Sequence, residues 1–177
     1  WAALGNKGWG FDDVLPVFKR SEHYEGGEGP FHGTGGKLNI ADLRFTHPVS
    51  SAFIKAGVEA GHPATDDFNN DVQEGVGMYK VNQKDGERCG VSKAYLHPVM
   101  DRPNLTVLTS ALVNRILFEG KRAIGVEVEH NGQIRTLKAD NEVILSGGAI
   151  NSPQVLKLSG VGPAAELAEH NIPLVHE

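Results

Sequence analysis

The sequence predicts an α/β (α+β) fold in which an antiparallel meander leads into a buried strand, a glycine turn and a helix. Three observations predict it. Val143, Ile144 and Leu145 form a short apolar run of the kind that makes a strand buried on both faces, and Ser146, Gly147 and Gly148 end it. Asn131-Gly132 marks a tight hairpin between two alternating stretches, Ile124 to His130 and Gln133 to Ala139. Upstream, Val49, Ala52, Phe53, Ala56 and Ala60 recur at helical spacing, so helix and sheet share the chain.

Taken in order, the first element is a helix capped by Asp12, with Val14, Leu15 and Phe18 on one stripe and Lys19 and Arg20 complementing its C-terminal end. Trp1 and Trp9 flank a turn at Gly5 and Gly8 and read as packing anchors. Residues 25–36, EGGEGPFHGTGG, hold too few apolar side chains for a core and read as a surface loop or lid. His32 lies in it; a mobile loop lacks the packed partners that tune a base, so His32 is not assigned catalysis. Lys37 to Ile40 reads as a short edge strand, and the helix over residues 46–62 is bracketed by Pro48 and Gly61.

Asp66 to Asp71 gathers acidic and amide side chains, yet lacks the alternating register, central glycine and terminal glutamate of a calcium loop; it reads as a polar loop. Val76 to Gln83 suggests a strand running into an Asp85-Gly86 turn with a short return, and Ser92 can cap the turn Lys93 to Leu96 before Pro98. Strands follow at Leu105 to Leu108 with Val113 to Phe118, bending at Ser110, then at Ala123 to Glu129 after Gly120, and at Ile134 to Lys138. After the glycine turn, Asn151 and Ser152 offer caps, Pro153 suits the first helical position and Gly160 suits a left-handed end. Pro163 opens a last helix with Leu167 inward and Asn171 terminating, before a strand begins at Leu174.

Length and charge narrow the function. At 177 residues and a net charge of −5, with acids and bases mixed, the chain shows no basic patch for nucleic acid. No apolar run approaches the roughly 20 residues of a membrane span. A single cysteine, Cys89, fits a reducing compartment, and with no leader in view a cytoplasmic location is expected. The chain begins at Trp1 rather than Met and stops within an expected strand, as a segment of a longer protein would. Zinc-binding histidine or cysteine spacing is lacking, and Ser159, preceded by Lys157 and Leu158, is no nucleophile elbow. A helix N-terminus after a glycine turn suits a phosphate or polarised cofactor edge, although the glycine pattern alone serves an ordinary strand-to-helix connection as well.

The run Gly148 to Gly162, GAINSPQVLKLSGVG, resembles the second signature of the glucose-methanol-choline (GMC) flavin oxidoreductases. Two other stretches carry the same resemblance. Trp1 with Gly8-Trp9-Gly10 ahead of a helix ending in a basic pair is similar to the segment after that family's flavin-attachment region. Gly86, Arg88, Ser92, Ala94, Tyr95, Leu96 and Pro98, with Asn104, Leu105 and Val107, resemble its path from the substrate-side sheet back to the flavin domain.

The resemblance covers essentially the whole chain but only the middle of the family's architecture, closest to choline dehydrogenase and related alcohol dehydrogenases. It implies a partial FAD-binding domain of the GMC type over residues 104–177, part of a substrate-binding domain over 37–103, and a helix and lid segment over 1–36. The implied cofactor is FAD, contacted by the backbone of Val113 at the adenine and by Ser146, Gly147, Gly148, Ala149 and Ile150. The implied partners are a small alcohol, choline-like or another primary alcohol, and an electron acceptor, whether quinone, dye or oxygen. The dinucleotide turn is expected before Trp1 and the catalytic histidine beyond Glu177, so no catalytic residue is assigned here. A non-catalytic binding module using the glycine-rich loop remains the alternative; a NAD-linked enzyme lacks its GxGxxG fingerprint.

Overall fold

The computed structural model describes residues 1–177, which divide into two compact units, Trp1–Leu105 and Thr106–Glu177. The first opens with a short 3-10 turn, Ala2–Leu4, closed by Gly5 at φ +94°. Trp1 and Trp9 meet at a tilt of 58° with ring centroids 5.3 Å apart, but both are exposed and neither anchors a core. Helix α1 (Phe11–Ser21) is capped by Gly10 rather than Asp12. Asp13, at the third helical position, reaches back instead: its carboxylate accepts the N–H of the cap residue Gly10 at 3.0 Å.

β1 (Glu22–Tyr24) pairs in parallel with β2 (Leu38–Ile40), and the glycine-rich loop of residues 25–36 connects them. The sequence marks β2 but not its partner, because Glu-His-Tyr carries no strand pattern of its own. α2 (Pro48–Glu59) is capped by His47, whose Nδ1 accepts the Val49 N–H at 3.2 Å, and Gly61 ends it at φ +96°.

The strand expected over Val76 to Gln83 reduces to a two-residue hairpin, β3 (Gln83–Lys84) with β4 (Glu87–Arg88), over Asp85 and Gly86 at φ +53° and +79°. Val76 and Val81 make single bridges to Ala64 and Ala41. Ser92 is not a cap either: Ser92–Leu96 winds as a π-helical turn around the buried Ala94, followed by a 3-10 turn at His97–Val99.

The second unit is built on the meander the sequence predicts. β5 (Ala111–Glu119), β6 (Arg122–His130) and β7 (Gln133–Lys138) pair antiparallel in that order. Gly120 at φ +58°, and Asn131 with Gly132 at +53° and +71°, supply the left-handed residues that tight hairpins need. Leu105 to Leu108 adds no strand; Ser110 at φ +53° turns the chain just before β5.

Val143, Ile144 and Leu145 do not form a buried strand. The segment carries no ladder, and Ile144 is 77% exposed. The meander's ladder ends at the Ala139 N–H to Ile124 C=O bond and no ladder bond joins the segment to a sheet edge, and an apolar run without one is not a strand. α3 (Gly148–Leu158) begins right after Gly147, three residues before the expected cap, which puts Asn151, Ser152 and Pro153 inside it. Pro153 removes one helical bond only, the one to Ala149.

α4 (Ala164–Glu169) buries Leu167, the largest fully buried side chain. The strand expected from Leu174 is a single bridge between Val161 and His176.

Ser159 ties these pieces together. Its hydroxyl donates to Val155 C=O at 2.5 Å and accepts the Ile116 N–H of β5 at 2.8 Å, with Ser159, Val155 and Ile116 all buried. Next to it, Gly160 holds φ +86°, and a Cβ there would lie 2.3 Å from Pro173 O.

In the first unit, Lys80 reaches Asp42 Oδ1 at 2.6 Å and lies 5.8 Å from the Tyr24 ring centroid. The hydrogen bond to Asp42 holds the ammonium above the ordinary lysine range, with burial opposing it and Tyr24 helping.

Ser159→Ala leaves the Ile116 N–H buried without a partner and is expected to lower stability by roughly 1–3 kcal/mol, read as a fall in Tm. Gly160→Ala is expected to cost more than about 1 kcal/mol, since strain at positive φ adds to the clash. Because the lysine value is raised, the Lys80 contribution is present below it and lost as pH rises through it; Lys80→Met is expected to flatten the alkaline limb of a circular-dichroism pH titration.

Candidate functional site

In the second unit, β5 is an edge strand whose outer side faces the segment of residues 144–147 and α3. A cavity of about 720 Å³ opens between them, lined by Ala111, Leu112, Val113 and Asn114 of β5, by Ile144, Leu145, Ser146 and Gly147, and by one face of α3. That face is Asn151, Gln154, Val155 and Leu158, positions i, i+3, i+4 and i+7 of a single helical stripe.

Each wall follows from local sequence. The register of β5 against β6 shifts between Val113 and Arg115, a bulge that bends the strand at Val113 and re-aims its neighbours. Gly147 is the cap of α3 and Gly148 its first residue, at φ +86°. A left-handed residue here lets the chain turn from the extended segment straight into the helix. The first turn of α3 then carries N–H groups with no acceptor inside the helix and the positive end of its dipole.

The cavity wall is mainly aliphatic, with three amide side chains, Asn114, Asn151 and Gln154, and no charged side chain. Such a lining can hold an apolar body by its aliphatic groups and a polar edge by its amides and backbone.

Of the six residues singled out from the sequence, Val113, Ser146 and Gly147 line this cavity. Ala149 and Ile150 line a different groove, also about 720 Å³, shared by α3 and α4 with Leu167, His170 and Ile172. Gly148 lies between the two as backbone. Asn151 and Gln154 were not singled out, because Asn151 reads as a cap when the helix is started too late. The i, i+3, i+4, i+7 stripe from Asn151 to Leu158 is the signal that finds them.

A second cluster lies in the first unit, on the loop of residues 25–36, and gives His32 the packed partners that the sequence does not show. His32 is buried; its Nδ1 lies 3.1 Å from Glu22 Oε1 and its Nε2 lies 2.8 Å from Asp67 Oδ2. The loop is held by Lys19 Nζ on Gly29 O at 2.7 Å, by the Gly33 N–H on Glu22 Oε1 at 2.7 Å, and by the Gly36 N–H on Glu22 O at 2.9 Å. The acidic loop carries Asx turns, Asp67 Oδ1 accepting the Asn69 N–H at 2.8 Å. No group of three or more histidine, cysteine or acidic side chains is placed to hold a metal ion. No helix is long and apolar enough to cross a membrane.

Known proteins share this architecture. An alcohol dehydrogenase (acceptor) of Pseudomonas putida is 44% identical over 180 residues, covering 100% of this chain and 33% of that protein. Mitochondrial choline dehydrogenase of Mus musculus is 44% identical over 175 residues, covering 99% of this chain and 29% of that protein. Among solved structures, an FAD-dependent oxidoreductase from Chaetomium thermophilum superposes with a TM-score of 0.89 at 30% identity, over 100% of this chain and 33% of that one. Pyridoxine 4-oxidase from Mesorbium loti gives 0.84 at 32% identity, over 98% and 34%. The chain thus spans about a third of the length of the relatives it matches. Residues 1–175 match the GMC oxidoreductase family, and with the meander, glycine turn and helix in place the chain belongs to that family.

Proposed function

We propose that this chain supplies the adenine end of an FAD site, together with part of a substrate-side region, to an oxidoreductase acting on the CH–OH group of an alcohol. The observation that carries this reading is the cavity on which Val113, Ser146 and Gly147 converge in a chain of the GMC family. FAD-dependent proteins among the solved neighbours support the choice of cofactor.

In this reading residues 104–177 are part of the FAD-binding domain, 37–103 part of the substrate-binding domain, and 1–36 a helix and lid segment. Leu112, Val113, Ile144 and Val155 grip the adenine faces and exclude water from them. Asn114, Asn151 and Gln154 bond to its rim, and backbone groups of Val113 and of residues 146–150 complete the contact. The free N–H groups opening α3 favour the negative part of the dinucleotide.

The flavin, when bound, accepts hydride from the alcohol carbon. The residues of this chain bind and orient it, and the base that takes the alcohol proton comes from elsewhere in the protein. The substrate is a small alcohol, choline-like or another primary alcohol, and the acceptor a quinone, a dye or oxygen. Names of relatives such as choline dehydrogenase and alcohol dehydrogenase support that class.

Leu112→Asp and Gln154→Glu each place a carboxylate against the cavity. In the protein that carries this chain, each is expected to weaken FAD binding by about tenfold or more, measured by flavin fluorescence, with little change in Tm. Unchanged affinity in both variants would remove the cavity from the cofactor site. The isolated chain is expected to turn over no alcohol; flavin-dependent dye reduction by it would place a catalytic base within these residues.

A further inference from the structure

We propose that Glu22, His32 and Asp67 form a charge-held clamp, with His32 as the imidazolium, that fastens the glycine-rich loop of residues 25–36 to β1 and to the Asp66–Asp71 loop. The geometry is one of both ring nitrogens facing carboxylates, Nδ1 at 3.1 Å from Glu22 and Nε2 at 2.8 Å from Asp67. A neutral imidazole has one N–H and one lone pair, so one of these contacts would set a lone pair against an anion. Only the doubly protonated ring meets both. The three side chains are 11%, 16% and 12% exposed for His32, Glu22 and Asp67, so water screens the charges little.

The two contacts differ in kind. Nδ1 makes a hydrogen bond with Glu22, whereas Nε2 is within ion-pair reach of Asp67 without hydrogen-bond alignment. The grip on the Asp67 loop is therefore the more dependent on the ring's charge. Both carboxylates are oriented by other bonds, Glu22 by the Gly33 N–H and Asp67 by the Asn69 N–H. The Tyr24 ring packs against His32 at a tilt of 31° with centroids 4.2 Å apart, offering a π face that favours a cation.

Other charges stand further off. Lys80 lies 5.8 Å from the Tyr24 centroid and is engaged with Asp42, and Lys19 of α1 bonds Gly29 O at the loop's tip. Gly33 sits so close to α1 that a Cβ on it would lie 2.0 Å from Lys19 O. A chain this rich in glycine gains much entropy on release, so it stays seated only while something holds it.

Hydrogen exchange at the Gly33 and Gly36 amides, corrected for the intrinsic rate, tests this in the protein that carries the chain. Both amides are expected to be protected in the wild type, and the ¹⁵N spectrum of His32 to show both ring nitrogens protonated under the same conditions. His32→Gln is expected to lower that protection and to make cleavage within the loop about tenfold faster. A neutral single-tautomer ring, or a His32→Gln loop as protected as wild type, overturns the proposal. If that variant does not fold, the wild-type ring spectrum decides.

Discussion

One hydroxyl group sets the geometry of the second unit. Ser159 accepts an N–H from the edge of the meander and returns its own proton to the last turn of α3, so strand and helix are fixed to each other by a buried group with no water to compete. The bond closes the outer edge of β5 at Ile116, and the cavity begins further along the same edge, at Ala111 to Asn114. Had β5 been covered along its full length, no slot would remain between it and residues 144–147. The next residue, Gly160, turns left-handed and takes Val175 N–H at 2.7 Å, so the C-terminal segment depends on the same corner.

Much of this was legible in the sequence because its signals are local. Asn131-Gly132 and Gly160 each state a backbone conformation that few other residues tolerate, and each is found where expected. The helix after the glycine turn was legible as an element, but its start was not. Asn151, Ser152 and Pro153 are all good opening residues, and nothing in the chain says that Gly147 and Gly148 would open it first.

What was illegible depends on partners distant in sequence. Val143 to Leu145 have the composition of a buried strand, and composition is a property of the residues, whereas a strand is a property of a ladder. The same holds for residues 25–36. Their glycine content says that the loop can move, and only the approach of Glu22 and Asp67 to His32, across 10 and 35 residues of chain, shows that it is held. Burial of a lone histidine among carboxylates is a tertiary fact with no sequence period.

The meander has a consequence for how the chain acquires its shape. Its three strands are joined by two tight hairpins, so all of its pairings are between neighbours in sequence, and such contacts close quickly. The Ser159 bond spans 43 residues and must wait until the whole signature helix has been made. On a ribosome, the sheet can therefore assemble first and serve as the template on which α3 docks, so a substitution that slows either hairpin delays the wall of the cavity as well.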